Sequence, residues 1–135
     1  MELKIIGSVY EKLIEISREG IPNEICGYLS GADDVCEELH QLENISDTPE
    51  VFFNFNPKDQ FAVTKEIREK GTKFLVCFHS HPIGGESLSK DDKKLLIDKS
   101  MKYIIVSLRL SVPVVNAWSF DGEEYKPLTI SILEK

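Results

Sequence analysis

The chain has 135 residues, which is the length of one domain with a core of its own and leaves little room for a second. Hydrophobic residues make up 41% and charged residues 29%, so the chain is too apolar to be disordered. Because 23 Asp and Glu against 16 Lys and Arg leave a net charge of −7, the composition argues against binding to nucleic acid or to an anionic membrane. We expect a single domain over residues 1–135.

Hydrophobic periodicity and turn residues predict an alternation of helices and strands. Ser8 and Glu11 have the spacing of a capping box, and Pro57 suits the first position of a second helix. In chain order we predict a helix over 8–19, a hairpin of strands over 25–30 and 35–42, a loop over 44–49, a strand over 51–55, a helix over 57–70, a strand over 74–78, a loop over 80–88, a helix over 89–100, a strand over 103–108, and a hairpin of strands over 112–120 and 125–133.

Two of the predicted strands are predominantly apolar, which is typical of strands buried on both faces. They cover residues 74–78 and 103–108. Asp121 and Gly122 form a strong hairpin turn between the last two strands. The pattern therefore predicts an α/β fold, with a mixed β-sheet packed between helices.

The N-terminus and the cysteines predict a cytoplasmic protein. No apolar run approaches the ~20 residues that a membrane span requires, and the first four residues lack the basic and then apolar layout of a signal peptide. The three cysteines Cys26, Cys36 and Cys77 are odd in number and widely spaced, which favours reduced thiols with structural roles over a disulfide framework. We expect Cys77, which lies within an apolar run, to pack in the core.

Two of the three histidines stand two residues apart, where a buried strand meets a glycine-containing loop. Because alternate residues of a strand point to the same side, His79 and His81 can bind one metal ion. Asp92 follows in the first turn of the third predicted helix and could supply a third ligand, which would leave an open position for water. We expect the remaining histidine, His40, to lie on the surface.

Each of these residues also has a simpler interpretation. A pair of histidines at a strand end can be polar surface, and Ser89 and Asp92 have the spacing of a capping box. The neighbouring Asp91 could replace Asp92 as a ligand. Glu24 precedes an apolar strand, where an acidic residue is usually solvated. Taken singly these signals are weak, but together they favour a metal site.

The combined pattern resembles the JAMM (MPN+) zinc metalloproteases. His79–Pro82, then six residues, Ser89, two residues and Asp92 match the H-x-H-P-x6-S-x2-D signature of that family. The segment Glu24–Leu29 is similar to the E-x-C-G-x-L segment that lies upstream in the family. The resemblance covers nearly the whole chain and implies a single MPN domain with a fold broadly like that of cytidine deaminases.

The resemblance also implies a ligand set and a mechanism. Two histidines and an aspartate hold one Zn²⁺ per chain in the family, which corresponds to His79, His81 and Asp92. The family's glutamate accepts a proton from water and passes it to the leaving amine, and Glu24 occupies its position. The family's serine helps to hold water and stabilise the oxyanion, and Ser89 occupies its position. The expected reaction is hydrolysis of an amide without an acyl-enzyme.

The family resemblance indicates a ubiquitin-like or sulfur-carrier protein as the substrate. The chain is close to a minimal, prokaryotic-type domain, and we expect the segments 83–87 and 51–55 to grip an extended C-terminal tail. An alternative is a non-catalytic MPN interaction module with a structural zinc. A zinc deaminase is disfavoured because the sequence has no Cys-x-x-Cys.

Overall fold

The computed structural model describes residues 1–134 and combines three helices with eight strands over that range. Several strand boundaries follow the hydrophobic pattern closely, since the apolar runs occupy the middle of the sheet. The elements are β1 (Glu2–Ile6), α1 (Gly7–Glu19), β2 (Cys26–Gly31), β3 (Val35–Cys36), β4 (Glu38–Leu42), α2 (Pro57–Lys70), β5 (Lys73–His81), α3 (Lys90–Leu95), β6 (Lys102–Ser107), β7 (Val114–Phe120) and β8 (Tyr125–Leu133).

The eight strands form a mixed sheet in the order β3-β1-β8-β7-β6-β5-β2-β4. β1 is parallel to β3 and β8, and β5 is parallel to β6, whereas the other pairs are antiparallel. The apolar strands β5 and β6 lie at interior positions of this order, as their composition predicts. The expected α/β fold with a mixed sheet is therefore confirmed.

Alternation along β5 divides the interior into two apolar clusters, one on each face of the sheet. Val76 and Phe78 pack on the side of α1, which we call the α1 face. Cys77 points to the other side, which we call the α3 face because Leu96 at the end of α3 packs there. The α1-face cluster comprises Leu3, Ile5, Ile6, Val9, Leu13, Ile16, Ile25, Leu29, Cys36, Val76, Phe78, Ile104, Val106, Ala117 and Leu128. The α3-face cluster comprises Cys26, Phe53, Cys77, Leu96 and Tyr103.

The second predicted helix is confirmed at both ends. Asn56 caps α2, because its side chain accepts a hydrogen bond from the backbone N–H of Lys58. Gly71 ends the helix in the left-handed conformation, with φ 72°, which a residue without a Cβ adopts at no steric cost. Both signals act within a few residues along the chain, so the sequence alone is sufficient to locate them.

The prediction that Ser8 and Glu11 cap the first helix is wrong. α1 begins at Gly7 with Ile6 at the N-cap position, and no side chain caps it. The reason is β1, a strand that the sequence pattern did not reveal and that runs directly into the helix. Ser8 therefore lies inside the helix rather than ahead of it.

Four further elements differ from their predictions. The strand predicted over 35–42 is divided into β3, which pairs with β1, and β4, which pairs with β2. Residues 51–55 form no strand, and only Phe55 makes a single bridge, with Asn44. The third helix is shorter than predicted, because the buried Leu96 leaves helical geometry to pack into the α3 face. β5 is longer than predicted, so both histidines lie within the strand and not in the loop.

His40 is buried, so its prediction as a surface residue is wrong. It lies on β4, which pairs with β2, and its Nε2 is 2.8 Å from the Ser30 hydroxyl. Its Nδ1 is 3.1 Å from a carboxylate oxygen of Glu66 on α2. Contacts with another strand and a helix, which no local pattern specifies, remove this side chain from solvent.

Over residues 1–134, no helix is both long and apolar enough to cross a membrane.

Candidate metal centre and active site

β5 carries both histidines of the candidate site in its last three residues. His79 pairs with Cys26 of β2 on one side and with Ile105 of β6 on the other. His81 pairs with Ser107 of β6, so neighbouring strands fix the backbone of both histidines. Their side chains project from the same face, and both residues are buried.

Three side-chain donors converge in front of this strand end. The Nε2 atoms of His79 and His81 are 3.1 Å apart. Oδ1 of Asp92 is 3.0 Å from Nε2 of His79, and Oδ2 of Asp92 is 3.1 Å from Nε2 of His81. A tetrahedral zinc site with ligands at about 2.0–2.1 Å has donor atoms roughly 3.3 Å apart, so this triangle has the size and the chemistry that Zn²⁺ requires.

Asp92 caps its helix and also faces both histidines, so the two interpretations of this residue are compatible. Its Oδ2 accepts a hydrogen bond from the Ser89 N–H at 2.9 Å, and its own N–H donates to Ser89 Oγ at 3.0 Å, which completes a capping box. The same carboxylate faces both histidines, so the cap aims it at the site. Asp91 is exposed and lies outside the cluster, which removes it as the third donor.

The charges of the three donors suit a metal site. Burial raises the pKa of Asp92, but the hydrogen bonds with His79 and His81 outweigh it and hold that pKa well below its usual range. Burial lowers the pKa of His79. In His81 burial acts in the same direction, but the contacts with Asp92 and with the Gly85 carbonyl raise the pKa overall. The carboxylate is thus ionised and next to two imidazoles, one of which favours the neutral form that binds metals.

Glu24 lies buried beside the three donors, with 5% of its surface exposed. Its backbone is fixed on both sides, because its N–H donates to the Pro49 carbonyl at 2.7 Å and its carbonyl accepts from Asn44 Nδ2 at 2.9 Å. Burial raises the pKa of its carboxyl group from 4.5 to about 8, and the charges of His81 and Asp92 modify that effect in opposite directions. Glu24 is therefore no solvated edge residue but a buried acid whose pKa lies close to neutral pH.

Ser80, between the two histidines, has a role that the sequence analysis missed. Its side chain points to the opposite side of the strand and is fully buried. Ser80 Oγ accepts a hydrogen bond from the Ile25 N–H at 2.9 Å, and Ser80 N–H donates to the Ile25 carbonyl at 3.0 Å. Ile25 follows Glu24 directly, so this pair of bonds ties the acid to the histidine strand.

Asn44 organises the segment that covers the site. Its side-chain amide donates to the carbonyls of Glu24 and Phe52, at 2.9 and 3.0 Å. Its Oδ1 accepts from the backbone N–H groups of Ser46 and Asn54, at 3.0 and 3.1 Å. One side chain therefore holds the irregular segment in place of the strand hydrogen bonds that it lacks.

Phe53, within that segment, packs directly against the site. Its ring stacks on the imidazole of His79 with centroids 4.6 Å apart and planes inclined by 27°.

The three cysteines are buried and lie outside the donor cluster, and burial raises the pKa of each thiol. Cys77 therefore packs in the core, as its apolar neighbours predict.

An open cleft of about 180 Å³ lies beside His81 and Glu24. Exposed apolar side chains from both segments predicted to grip a substrate line it, namely Val51 and Ile83. From the segment 51–55 only Val51 faces the cleft, because Phe53 and Phe55 belong to the α3-face cluster. The cleft is also lined by Glu24, Glu50, His81, Pro82, Gly84, Gly85, Ser87 and Ser89.

Comparison with known proteins agrees with this fold. The family described as prokaryotic homologs of the JAB domain matches residues 7–121. A desampylase of Haloferax volcanii is 23% identical over 136 residues, which cover 96% of each chain.

Two solved structures share the architecture. A protein from Desulfitobacterium hafniense has a TM-score of 0.88 and 29% identity, and the match covers 100% of this chain and 94% of that one. A JAB1/MPN domain protein from Archaeoglobus fulgidus has a TM-score of 0.68 and 22% identity, with 97% of this chain and 99% of that one covered.

Proposed function

Because the chain belongs to the family of prokaryotic homologs of the JAB domain, we propose that it is a zinc-dependent isopeptidase. Its reaction is hydrolysis of the amide bond after the C-terminal tail of a ubiquitin-like or sulfur-carrier protein. The observation that carries this proposal is the triangle of two imidazole nitrogens and a carboxylate, with edges of 3.0–3.1 Å, next to a buried acid. An open three-ligand site with an acid beside it is the arrangement of catalytic rather than structural zinc.

The residues around the donors have the chemistry that amide hydrolysis requires. When bound, Zn²⁺ supplies a Lewis acid that polarises a carbonyl oxygen and makes hydroxide available from water near neutral pH. Glu24 takes the proton of the attacking water and returns it to the leaving amine. Burial alone raises its pKa, and the charge of a bound Zn²⁺ would act in the opposite direction and favour the ionised form that accepts the proton. Hydroxide adds to the carbonyl carbon, the carbon–nitrogen bond breaks, and the products are a carboxylate and an amine.

In this proposal Ser89 stabilises charge and does not attack the carbonyl carbon. Its hydroxyl oxygen accepts the N–H of Asp92, so its own proton is available to an oxygen in the cleft, which Ser89 lines. A carbonyl oxygen that gains negative charge is such an acceptor. Ser89 is no nucleophile in this scheme, because the imidazoles of His79 and His81 face Asp92.

The cleft supports an extended peptide as the part of the substrate that is bound. Ile83 and Val51 leave 73% and 61% of their surface exposed and line the same cleft as Glu24 and His81, so they offer apolar contact area to a bound chain beside the proposed site. A tail that lies between them as an added strand would place its last carbonyl at the donors.

The decisive experiment measures zinc content and cleavage together. Fusions of small β-grasp proteins that end in Gly-Gly are the probe, and zinc is determined by elemental analysis. We expect about one zinc per chain and cleavage after the tail in the wild type. Glu24→Gln should keep its zinc and lose about 10²–10⁴-fold in turnover, whereas the exposed helix variant Glu69→Gln should retain both.

Metal removal separates the proposal from a non-catalytic module with a structural zinc. The α1-face cluster contains none of the three donors, so a chelator should abolish turnover and leave the fold largely intact. Unfolding on chelation, together with no cleavage by the zinc-loaded wild type, would refute the enzyme and favour the module. Full turnover in Glu24→Gln would refute the role of Glu24 as the proton carrier.

A further inference from the structure

The loop after β5 is fastened to the sheet by two side chains from other strands. Ser107 Oγ, at the end of β6, donates to the Gly84 carbonyl at 2.9 Å. Asn116 Nδ2, on β7, donates to the Glu86 carbonyl at 3.2 Å. These two bonds flank a single residue, Gly85, whose carbonyl is thereby held between two fixed neighbours.

That held carbonyl contacts a proposed metal ligand. The Gly85 oxygen is 2.9 Å from Nδ1 of His81, so it accepts the Nδ1 proton and leaves Nε2 free to face the metal position. Gly84 lies against the same ring, because a Cβ on it would be 3.2 Å from His81 Cβ and 3.3 Å from Cγ and Nδ1. The loop thus contacts the imidazole twice, through the Gly85 carbonyl at Nδ1 and through Gly84, which lies close to the ring.

The sheet gives these fastenings a rigid base. Ser107 is 1% exposed and lies directly opposite His81 in the register of β5 and β6. The next residue, Leu108, donates its N–H to the His81 carbonyl at 3.1 Å. The backbone of His81 is thus bonded to β6, the Ser107 side chain on β6 is bonded to the loop, and the loop is bonded to the ring of His81.

The other histidine is oriented by different means. Nδ1 of His79 is buried and has no hydrogen-bond partner in residues 1–134. Its ring is held instead by stacking on Phe53. Of the two imidazoles, only His81 thus depends on the loop for its orientation.

We propose that Ser107 and Asn116 are positioning residues that orient the imidazole of His81 by holding the Gly85 carbonyl against its Nδ1. The inference rests on the proposed metal centre. It assigns a role to side chains on two strands that the motif of histidines, serine and aspartate does not include. Outer hydrogen bonds of this kind commonly change metal affinity or activity by about 10–100-fold.

The test uses Ser107→Ala and Asn116→Ala, with Ser100→Ala as the matched control. Ser100 Oγ donates to Asp98 Oδ1 at 2.6 Å in an exposed turn, so the control removes one serine hydrogen bond away from the loop. Metal-free protein is titrated with Co²⁺ and Zn²⁺ in competition with a chelator. We expect the dissociation constant to rise about 10-fold or more in each loop variant and to stay unchanged in the control.

A second pair of variants tests the contact with the ring. Gly84→Ala places a methyl group against His81, whereas a Cβ at Gly85 meets nothing within 4 Å. We expect Gly84→Ala to weaken metal binding and Gly85→Ala to leave it unchanged. Because both substitutions replace a loop glycine by alanine, a difference between them reports the contact with His81 rather than a general stiffening of the loop.

A spectroscopic signal separates positioning from mere stability and does not require metal. The Nδ1 proton of His81, held on the Gly85 carbonyl, should give a downfield, slowly exchanging resonance in the wild type and in Ser100→Ala. The resonance should broaden or vanish in Ser107→Ala and Asn116→Ala. Loss of thermal stability with unchanged metal affinity and an unchanged resonance would overturn the proposal.

The outcomes for this inference and for the proposed function remain distinct. A wild type that binds neither ion would refute the proposed zinc enzyme, while the Nδ1 resonance would still decide whether the two side chains orient His81. Metal binding that is equally tight in the wild type and both loop variants would leave the enzyme and refute the positioning role. Asn116 is only half-buried, so Asn116→Ala is the variant to use if Ser107→Ala does not fold.

Discussion

The two faces of the sheet are built from the same strands but serve different purposes. The α1 face is a continuous apolar layer that includes Phe78, Val106 and Leu13. The α3 face has a smaller apolar cluster and carries the buried acid–imidazole group, an open cleft and a second cavity of about 260 Å³ beside Phe53. Stability is thus concentrated on one face, which allows the other to keep buried polar groups and open space that cost stability.

The largest effect on stability is expected from the α1 face. Phe78→Ala removes a fully buried ring that packs so close to Gly27 that a Cβ there would lie 2.6 Å from Phe78 Cζ. We expect the free energy of unfolding to fall by about 3–5 kcal/mol, measured by denaturant titration of metal-free protein. Phe61→Ala, at a ring that is 73% exposed, should change it by about 0.5 kcal/mol or less. A loss below ~1 kcal/mol in Phe78→Ala would contradict the assignment of stability to this face.

A pH-dependent effect is expected from the α3 face. Burial raises the pKa of Glu24 from 4.5 to about 8, so the folded state binds this proton more tightly than the unfolded state. Its contribution to stability is full below about pH 4.5 and is lost as the pH rises through about 8. Metal-free Glu24→Gln should therefore gain stability relative to the wild type over this window, by at most about 1.4 kcal/mol per pH unit.

Urea titrations at several pH values measure this difference. The exposed Glu69→Gln provides the control, and its difference from the wild type should not follow the same window. A stability difference between Glu24→Gln and the wild type that stays constant from pH 5 to 8 would show that the buried carboxyl group is not held in its protonated form.

A smaller effect on stability, combined with an effect on the metal, is expected from Phe53→Leu. The substitution keeps an apolar side chain and loses the stacking on His79, which is worth about 0.5–1.5 kcal/mol. Metal affinity should fall because, within residues 1–134, Nδ1 of His79 has no hydrogen bond that would orient the ring in place of the stacking. Chelator competition measures this, with Phe52→Leu, at a half-buried ring that does not stack on His79, as the control. Equal metal affinities in both variants would contradict the role of Phe53.

The smallest effect is expected from a thiol reagent on the native protein. All three cysteines are buried with raised pKa values, so labelling should be slow and should follow local opening. If the α3 face opens more readily, Cys26 and Cys77 react before Cys36, which lies in the α1-face cluster. Mass spectrometry of partially labelled protein measures the order, and the reverse order would contradict the comparison.

The sequence specified those features that depend on local pattern. The alternation of β5 placed His79 and His81 on one side, and the caps located α2 from Asn56 to Gly71. The motif spacing indicated Asp92, which the fold brings to both histidines while it also caps α3, a combination that no local pattern predicts. These features arise within one strand, one turn or one helix end.

The missed features depend on contacts between distant segments. Residues 51–55 look like a strand because they are aromatic, but Asn44 satisfies their backbone by side-chain hydrogen bonds instead. His40 looks like a surface residue until β2 and α2 cover it. β1 is a short strand, and its role follows only from its pairing with β3 and β8. Neither hydrophobicity nor spacing encodes these partners.

The alternation along β5 has a consequence for how such a chain can vary. Val76, Phe78 and Ser80 face one way, and Cys77, His79 and His81 face the other. Inserting or deleting one codon ahead of this stretch would exchange the two sets and turn the imidazoles into the apolar layer. Relatives of this chain should therefore differ in which residues they have along this strand but not in how many. A change in the number of residues would turn the two histidines to the wrong face of the sheet.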